Sequence, residues 1–415
     1  MRTSEPIVIL GAKRTPHGKH GGSFSNIPAP ELAACVVREF FERDAIRLKE
    51  HVDAVFMGEV LTAGVGQNPA RQAALRAYIP FTCGAETFNR VCSSSLVALW
   101  HAYNSLVLGE TRCIIAGGME NMSRAPHLLC PDGKSFSLHK NLAQLLENRQ
   151  CVPQTEVTNS MLHDGLCDAH ANHGEDMAHM GFLADVCAEE HGVSRKEQDD
   201  YAYKSCRRAL ASRDSPVLVA QIVPVIGKDG RVVSEDECVR VPDKKRMKEM
   251  EPYFREGGTV TAATSAQIAD GAAALVLASY EKAKEFGQNP LACIVGFASA
   301  SLHPKDYPIA PVAAIMKLLK KTGVPLERID FFEINEAFAT VPVHAIRSLR
   351  LSPEKVNVLG GSIALGHPIG ATGARLVVNM TYLLREYRRQ YGIAVTCNGG
   401  GEAVAVLIEN VAETF

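Results

Sequence analysis

The sequence predicts an α/β protein made of two copies of one strand–helix unit, interrupted by an insertion and folded as mixed sheets covered by helices. Three observations carry this. His-Val-Asp-Ala-Val-Phe-Met-Gly-Glu at 51–59 echoes Arg-Ile-Asp-Phe-Phe-Glu-Ile-Asn-Glu at 328–336, each reading as a short buried strand after a helix. Cys92 follows Asp53 by 39 residues and His367 follows Asp330 by 37, each at the start of a predicted helix. A Gly-rich turn then follows an apolar strand in each half: strand 113–116 with Glu120, 67 residues after Asp53, and strand 393–397 with Glu402, 72 after Asp330. Echoes in one order at matching distances are the mark of an internal repeat, and strands alternating with helical patterns favour helix-covered sheets.

The elements follow in chain order. Ile7-Val8-Ile9-Leu10 opens the chain as an apolar strand. In Phe88-Asn-Arg-Val-Cys-Ser-Ser-Ser-Leu-Val-Ala-Leu-Trp, small hydroxylated residues follow Cys92 and a helix-period apolar run begins. Cys92 is therefore expected near a helix N-terminus, where free N–H groups and the positive dipole end favour a thiolate and can donate to an oxyanion. A buried Cys beside a helix start is the plainer reading. Residues 121–255 have no counterpart in the second half and are polar, rich in His, Met and charge. They contain a predicted amphipathic helix over 195–212, announced by Ser194 with Glu197 three residues on, a capping box. The division expected is 1–120 with 256–275 as the first core half, 121–255 as an inserted domain, and 276–415 as the second core half.

The 415 residues are 46% hydrophobic and 22% charged, ordinary for a globular chain large enough for substantial cores. A net charge of −2 gives no bulk attraction to nucleic acid or anionic membranes. No apolar run is long enough to span a membrane. The first strand begins after six residues, so no signal or transit peptide is expected within this sequence. The location expected is the cytoplasm, with a removed organellar transit peptide left open. Twelve Cys occur without a CxxC pair or zinc spacing. Most are read as small buried hydrophobes in a reduced chain, and no metal is expected.

Three further segments carry chemistry. Leu359-Gly-Gly-Ser-Ile-Ala-Leu-Gly-His-Pro-Ile-Gly-Ala-Thr-Gly-Ala-Arg375 holds His367 in a Gly-framed loop that can approach a ligand closely, a place suited to a general base. The alternative is a phosphate-binding loop with an incidental His, although the dinucleotide order GxGxxG is absent. Ala394-Val-Thr-Cys-Asn-Gly-Gly-Gly-Glu sets Cys397 at a strand end before glycines whose N–H groups can form an anion nest. Glu333-Ile-Asn-Glu-Ala-Phe-Ala places two acids and an amide at another strand end, where α/β sheets usually take ligands.

Together these segments resemble the thiolase family over nearly the whole chain, most specifically in Asn335-Glu-Ala-Phe-Ala, in Gly-His367-Pro and in Cys397-Asn-Gly399-Gly. The resemblance implies the thiolase fold: two duplicated βαβαβαββ-type halves in a five-layer α-β-α-β-α arrangement, plus an inserted loop domain. It implies coenzyme A thioesters as substrates with no further cofactor, and a homodimer or a homotetramer built as a dimer of dimers. Cys92 would be the nucleophile, His367 its base, and Cys397 the acid/base toward the α-carbon or departing CoA. One oxyanion hole would combine His367 with a water held by Asn335, the other the N–H groups of Cys92 and Gly399. Leu166, His179 and Met180 would shape the pantetheine and acyl end of a tunnel that Phe254, Ala262, Ala337 and Phe338 line. Lys228, Arg207 and Arg208 would meet the CoA phosphates, though basic helix faces are mostly just solvated.

Three departures from the family pattern bear on the acyl group. Ser95 stands where the family has Gly and is expected to narrow the acyl pocket. Ala266 stands where many members have a pantetheine-contacting Ser, with Ser265 adjacent but aimed elsewhere. The stretch between Ala169 and His179 is longer than usual and His-rich. Gly117–Ser123 and His179-Met180-Gly181 look like the acetoacetyl-CoA branch, while Thr264–Gly271 and Cys92-Ser-Ser look like the degradative 3-ketoacyl-CoA branch. The His-Met pair, lying in the acyl segment, favours short chains. A ketoacyl synthase would need two active-site His and no second Cys. A non-catalytic acyl-CoA- or lipid-binding relative would lack a reactive residue.

Overall fold

Successive side chains of a strand face opposite ways, and the first strand already separates two cores. In β1 (Ile7–Arg14), Ile7 and Ile9 enter one cluster, Val8 and Leu10 another. The structure is a computed structural model that describes residues 5–44, 46, 48–129, 157–168 and 178–411.

The other long strands are β2 (Ala54–Gly58), β3 (Gly84–Phe88), β4 (Cys113–Asn121), β5 (Ala269–Ser279), β6 (Ala292–Ser301), β7 (Ile329–Ile334), β8 (Tyr391–Asn398) and β9 (Glu402–Asn410). They run in the order β7-β8-β9-β6-β1-β5-β4-β2-β3, with Gly18–Lys19 added to β5. The pairing repeats. β3, β2 and β4 are parallel, with β5 and β1 added antiparallel. β7 and β8 are parallel, with β9 and β6 added antiparallel. The counterpart of β3 in the second half is reduced to one bridge, Phe332 to Val356. The halves meet at Ile7–Ile9 against Ala292–Ile294.

Helices α1 (Ala29–Glu42), α2 (Ser94–Val107), α3 (Met180–Glu190), α4 (Arg195–Ser212), α5 (Ala310–Thr322), α6 (Thr340–Ser348) and α7 (Thr372–Glu386) complete the frame. α2 and α7 lie between the sheet halves, with Leu96, Leu99, Leu376 and Val377 packed on Leu275, Leu277, Val404 and Val406. α1 covers the outer face of the first half through Val36 and Phe40, and α5 that of the second through Ile315 and Leu318. These are the five layers expected.

The duplication extends to its marker residues. Asp53 Oδ2 accepts from Arg112 and Cys113 N–H at 2.7 and 3.0 Å, starting β4. Asp330 Oδ2 accepts from Gln390 and Tyr391 N–H at 2.9 and 3.1 Å, starting β8. The third echo needs correction. Gly117 and Gly118 lie inside β4, not in a turn. They are glycine because a Cβ at either would stand 2.1 Å from a carbonyl oxygen, of Ala273 or of Gly370. The residue 67 positions beyond Asp330, at the matching strand end, is Cys397.

In the insertion, Ser194 and Glu197 form the expected capping box on α4. Tyr201 and Ser205 of that helix donate to Glu336 at 2.8 Å. Arg14, at the end of β1, pairs with Asp236 through two bonds of 2.7 and 2.9 Å, fully buried. The insertion is thus bound to both core halves. Among the described residues no helix is long and apolar enough to cross a membrane.

Candidate active site

The turn between β3 and α2 is strained. Val91, a β-branched residue, has φ +47°, a conformation such residues rarely adopt and one that collects at functional sites. Asn89 Oδ1 accepts from Val91 N–H at 3.0 Å, and Ser94 Oγ donates to the Val91 carbonyl at 2.6 Å. The turn presents Cys92 at the wall of an apolar cavity of about 60 Å³. Helix α2 begins two residues later, at Ser94. Cys397, at the end of β8, and His367, from its Gly-framed loop, open into the same cavity.

Burial dominates the electrostatics. It pushes the Cys92 thiol up to about 12, and the Glu120 carboxylate adds to the rise. It also carries Cys397 well above the usual thiol range, with Cys92 adding. Desolvation thus opposes the helix end, which favours a thiolate, and leaves the proton of Cys92 for a base to remove. His367 is pulled down to about 3 by burial, then by the charge of Arg375 and by His17. At rest the site is two thiols and a neutral imidazole.

Hydrogen-bond counting assigns the imidazole tautomer. Thr372 Oγ1 donates its single proton to the Pro368 carbonyl at 2.8 Å, so at 2.6 Å it accepts from His367 Nδ1–H. A second chain agrees. Arg375 donates to Ser362 Oγ at 2.8 Å, and Ser362 Oγ donates to Asn335 Oδ1 at 2.6 Å. That turns Asn335 Nδ2 toward His367 Nε2, 3.4 Å away. Nε2 therefore carries the lone pair, as a base requires.

Of the other expected residues, Leu166, Met180, Ala266, Ala337 and Phe338 line the cavity. Gly399 adjoins it, the position of an added Cβ lying 3.8 Å from Met180 Sδ. His179 caps α3 by accepting from Gly181 N–H at 3.0 Å and stacks on Phe254, centroids 4.7 Å apart. Phe254 meets Phe338 edge-on at 5.7 Å, forming a second wall outside the cavity. Ser265 donates to the Thr261 carbonyl at 2.7 Å and points away, and Ala262 is exposed. Lys228 is tied to Gly21 O and Ser25 Oγ at 2.9 and 3.0 Å. Arg208 holds the Val356 and Pro353 carbonyls at 2.7 and 2.9 Å, while Arg207 is exposed. The His-rich stretch at 169–177 lies outside the described residues.

Ser95 corrects an expectation. It is fully buried, does not line the cavity, and accepts at 2.9 Å from Ala374 N–H, an otherwise unbonded donor in the first turn of α7. It joins the two central helices and leaves the cavity alone. Sequence reasoning missed Tyr307, which lines the cavity, is 1% exposed and donates to the Met180 carbonyl at 2.8 Å. It stands in a Pro-flanked turn, Pro304–Ile309, with no periodic signal. Thr372 was also missed, being an ordinary helix-start residue until its contact with His367 is seen.

Comparison with known proteins agrees with this geometry. Residues 7–281 match the family description "Thiolase, N-terminal domain" and residues 288–410 match "Thiolase, C-terminal domain". A cytosolic acetyl-CoA acetyltransferase of Gibberella zeae is 40% identical over 416 residues, covering 99% of this chain and 100% of the relative. The crystal structure of the Bacillus anthracis acetyl-CoA acetyltransferase superposes with a TM-score of 0.90 at 36% identity, covering 99% of this chain and 100% of that one. An Ascaris suum thiolase in complex with coenzyme A gives 0.87 at 34%, covering 98% and 100%. With both family domains matched in order along its length, this chain belongs to the thiolase family.

Proposed function

We propose that the chain converts two acetyl-CoA to acetoacetyl-CoA and free CoA, and the reverse, through an acyl-Cys92 intermediate. The observation that carries this is that His367, with Nε2 facing Asn335 Nδ2, opens into one apolar cavity with two thiols. Cys92 Sγ adds to the thioester carbonyl as Nε2 takes its proton. CoA then leaves, carrying a proton as its thiol. Cys397, left as a thiolate by giving its proton to the departing CoA, takes a proton from the α-carbon of the second acetyl-CoA. The enolate attacks the acetyl carbonyl, the bond to Cys92 breaks, and the Cys92 sulfur regains the proton held on His367. In an apolar site the thiolate–imidazolium pair is unfavourable until the thioester oxygen can take the charge. His367 and a water held by Asn335 would serve the enolate oxygen, and the Cys92 and Gly399 N–H groups the tetrahedral one. CoA is a substrate, and no further cofactor is needed.

The short-chain reading rests on the small cavity, lined by Tyr307 and Met180 among others, and on relatives named for acetyl-CoA. The insertion, bearing His179 and Met180, is read as the part that holds CoA. Assembly as a homodimer or homotetramer is supported by the sheet-edge strand β3, flanked by Tyr78 and Phe81 at 70% and 84% exposed. A cytoplasmic location is supported by the cytosolic relative. The test is thiolysis of 3-ketoacyl-CoA from four to sixteen carbons, with Cys92→Ser assayed for a covalent acyl adduct by mass spectrometry. Preference for four carbons and no adduct in the variant are expected. Preference for long chains would replace the substrate assignment with the degradative one, and an adduct in Cys92→Ser would remove the nucleophile.

A further inference from the structure

The Gly399 N–H stands at the start of the least constrained backbone near the site. Gly400 and Gly401 have φ +87° and +79°, and an added Cβ at Gly400 would meet nothing. A turn of this kind holds its shape only if something outside it does so. Two side chains grip the one planar peptide that joins Gly399 to Gly400. On its carbonyl edge, Asn398 Nδ2 donates to Gly399 O at 2.7 Å. On its N–H edge, Gly400 N–H donates to Asp168 Oδ2 at 2.6 Å. Rotation of that peptide would break both bonds.

The grip reaches back to the nucleophile. Asn398 Oδ1 accepts from Ser93 Oγ at 2.7 Å, and Ser93 Oγ in turn accepts from Thr396 Oγ1 at 2.8 Å. Ser93 follows Cys92, so the turn bearing one N–H donor is bonded to the turn bearing the other. Asp168 itself comes from the insertion and is 6% exposed. It pairs with Ala178 in the two-stranded piece that ends at His179 and leads into Met180.

We propose that Asp168, with Asn398 and Ser93, is a positioning residue that aims the Gly399 N–H at the oxyanion and couples the inserted domain to that hole. This rests on the reading of the Cys92 and Gly399 N–H groups as an oxyanion hole. Asp168 touches no reacting atom. It acts through the Gly399–Gly400 peptide it holds, which fixes the far side of Gly399 and with it the preceding peptide that carries the Gly399 N–H, so its loss lowers turnover more than substrate binding.

The experiment is steady-state thiolysis of acetoacetyl-CoA by the full chain, its Asp168→Ala and Asp168→Asn variants, and Cys92→Ser. Loss of a whole oxyanion donor costs about 10²–10³ in kcat, and a donor that is misaimed but present should cost less. For D168A the expected result is a fall in kcat of about 10- to 100-fold, with KM for CoA within about threefold of the parent. D168N, whose amide oxygen can accept the same N–H, recovers most of the loss. D168A within about twofold of the parent kcat, a loss confined to KM, or D168N as slow as D168A each overturns the proposal. If D168A does not fold, Ser93→Ala carries the test: a several-fold lower kcat at unchanged KM supports the bracket, and an unchanged kcat overturns it. A parent that does not turn over acetoacetyl-CoA, or an active C92S, breaks the underlying reading instead.

Discussion

Thr372→Val tests whether the His367 tautomer is set as the hydrogen bonds indicate. Val matches Thr in shape but offers nothing to His367 Nδ1–H, which lies 2.6 Å from Thr372 Oγ1 in a fully buried setting. The imidazole must then leave a buried donor unsatisfied, at a cost of about 1–3 kcal/mol, or shift its proton to Nε2 and cease to be a base. Either way the loss falls on the reactive form, and it converts to about 5- to 150-fold in rate. The assay is single-turnover acylation of Cys92 by acetyl-CoA, followed by rapid quench and mass spectrometry, because that step uses His367 as base. Thr372→Ser keeps the hydroxyl and should acylate within a few-fold of the parent. Acylation in the Val variant at the parent rate would refute the tautomer assignment, since a bond that sets the base cannot be dispensable.

Two further outcomes are expected. Alkylation of Cys92 by iodoacetamide should rise about tenfold per pH unit from pH 7 to 10 without levelling, because burial holds the thiol near 12; a plateau near pH 8 would mean the thiolate is stabilised after all. Tyr307→Ala should open the acyl end of the cavity and raise six- and eight-carbon substrates, two and four methylenes longer, relative to four by about tenfold or more in kcat/KM, the low end of the effect of a single methylene in an apolar pocket. Tyr307→Phe, which keeps the ring, should leave the profile unchanged, and an unchanged profile in the Ala variant would take Tyr307 out of the acyl pocket.

Much of this protein was legible in one dimension. Asp53 and Asp330 marked the duplication because each starts a strand through its own carboxylate, a local device that repeats wherever the unit repeats. Ser194 and Glu197 announced α4 because capping is decided within four residues. Cys92, His367 and Cys397 stood out because Gly, Pro and small residues around them are needed for a backbone to approach a ligand, whatever the rest of the chain does.

What the chain order could not reveal depends on neighbours hundreds of positions apart. Ser95 was expected to crowd the acyl group, but Ala374 takes it up, 279 residues away. Gly117 and Gly118 looked like a turn until the carbonyls of Ala273 and Gly370 appeared against them. The weight of desolvation at the reactive centre was out of reach for the same reason. A helix start can be read from sequence, but the desolvation that opposes it requires knowing what surrounds the thiol. The residues of this site were therefore determined along the chain, because motif and spacing are local. Their charge states, the tautomer read for His367 and the roles proposed for Tyr307, Thr372 and Asp168 came only from packing, because burial and hydrogen-bond partners are properties of the folded whole.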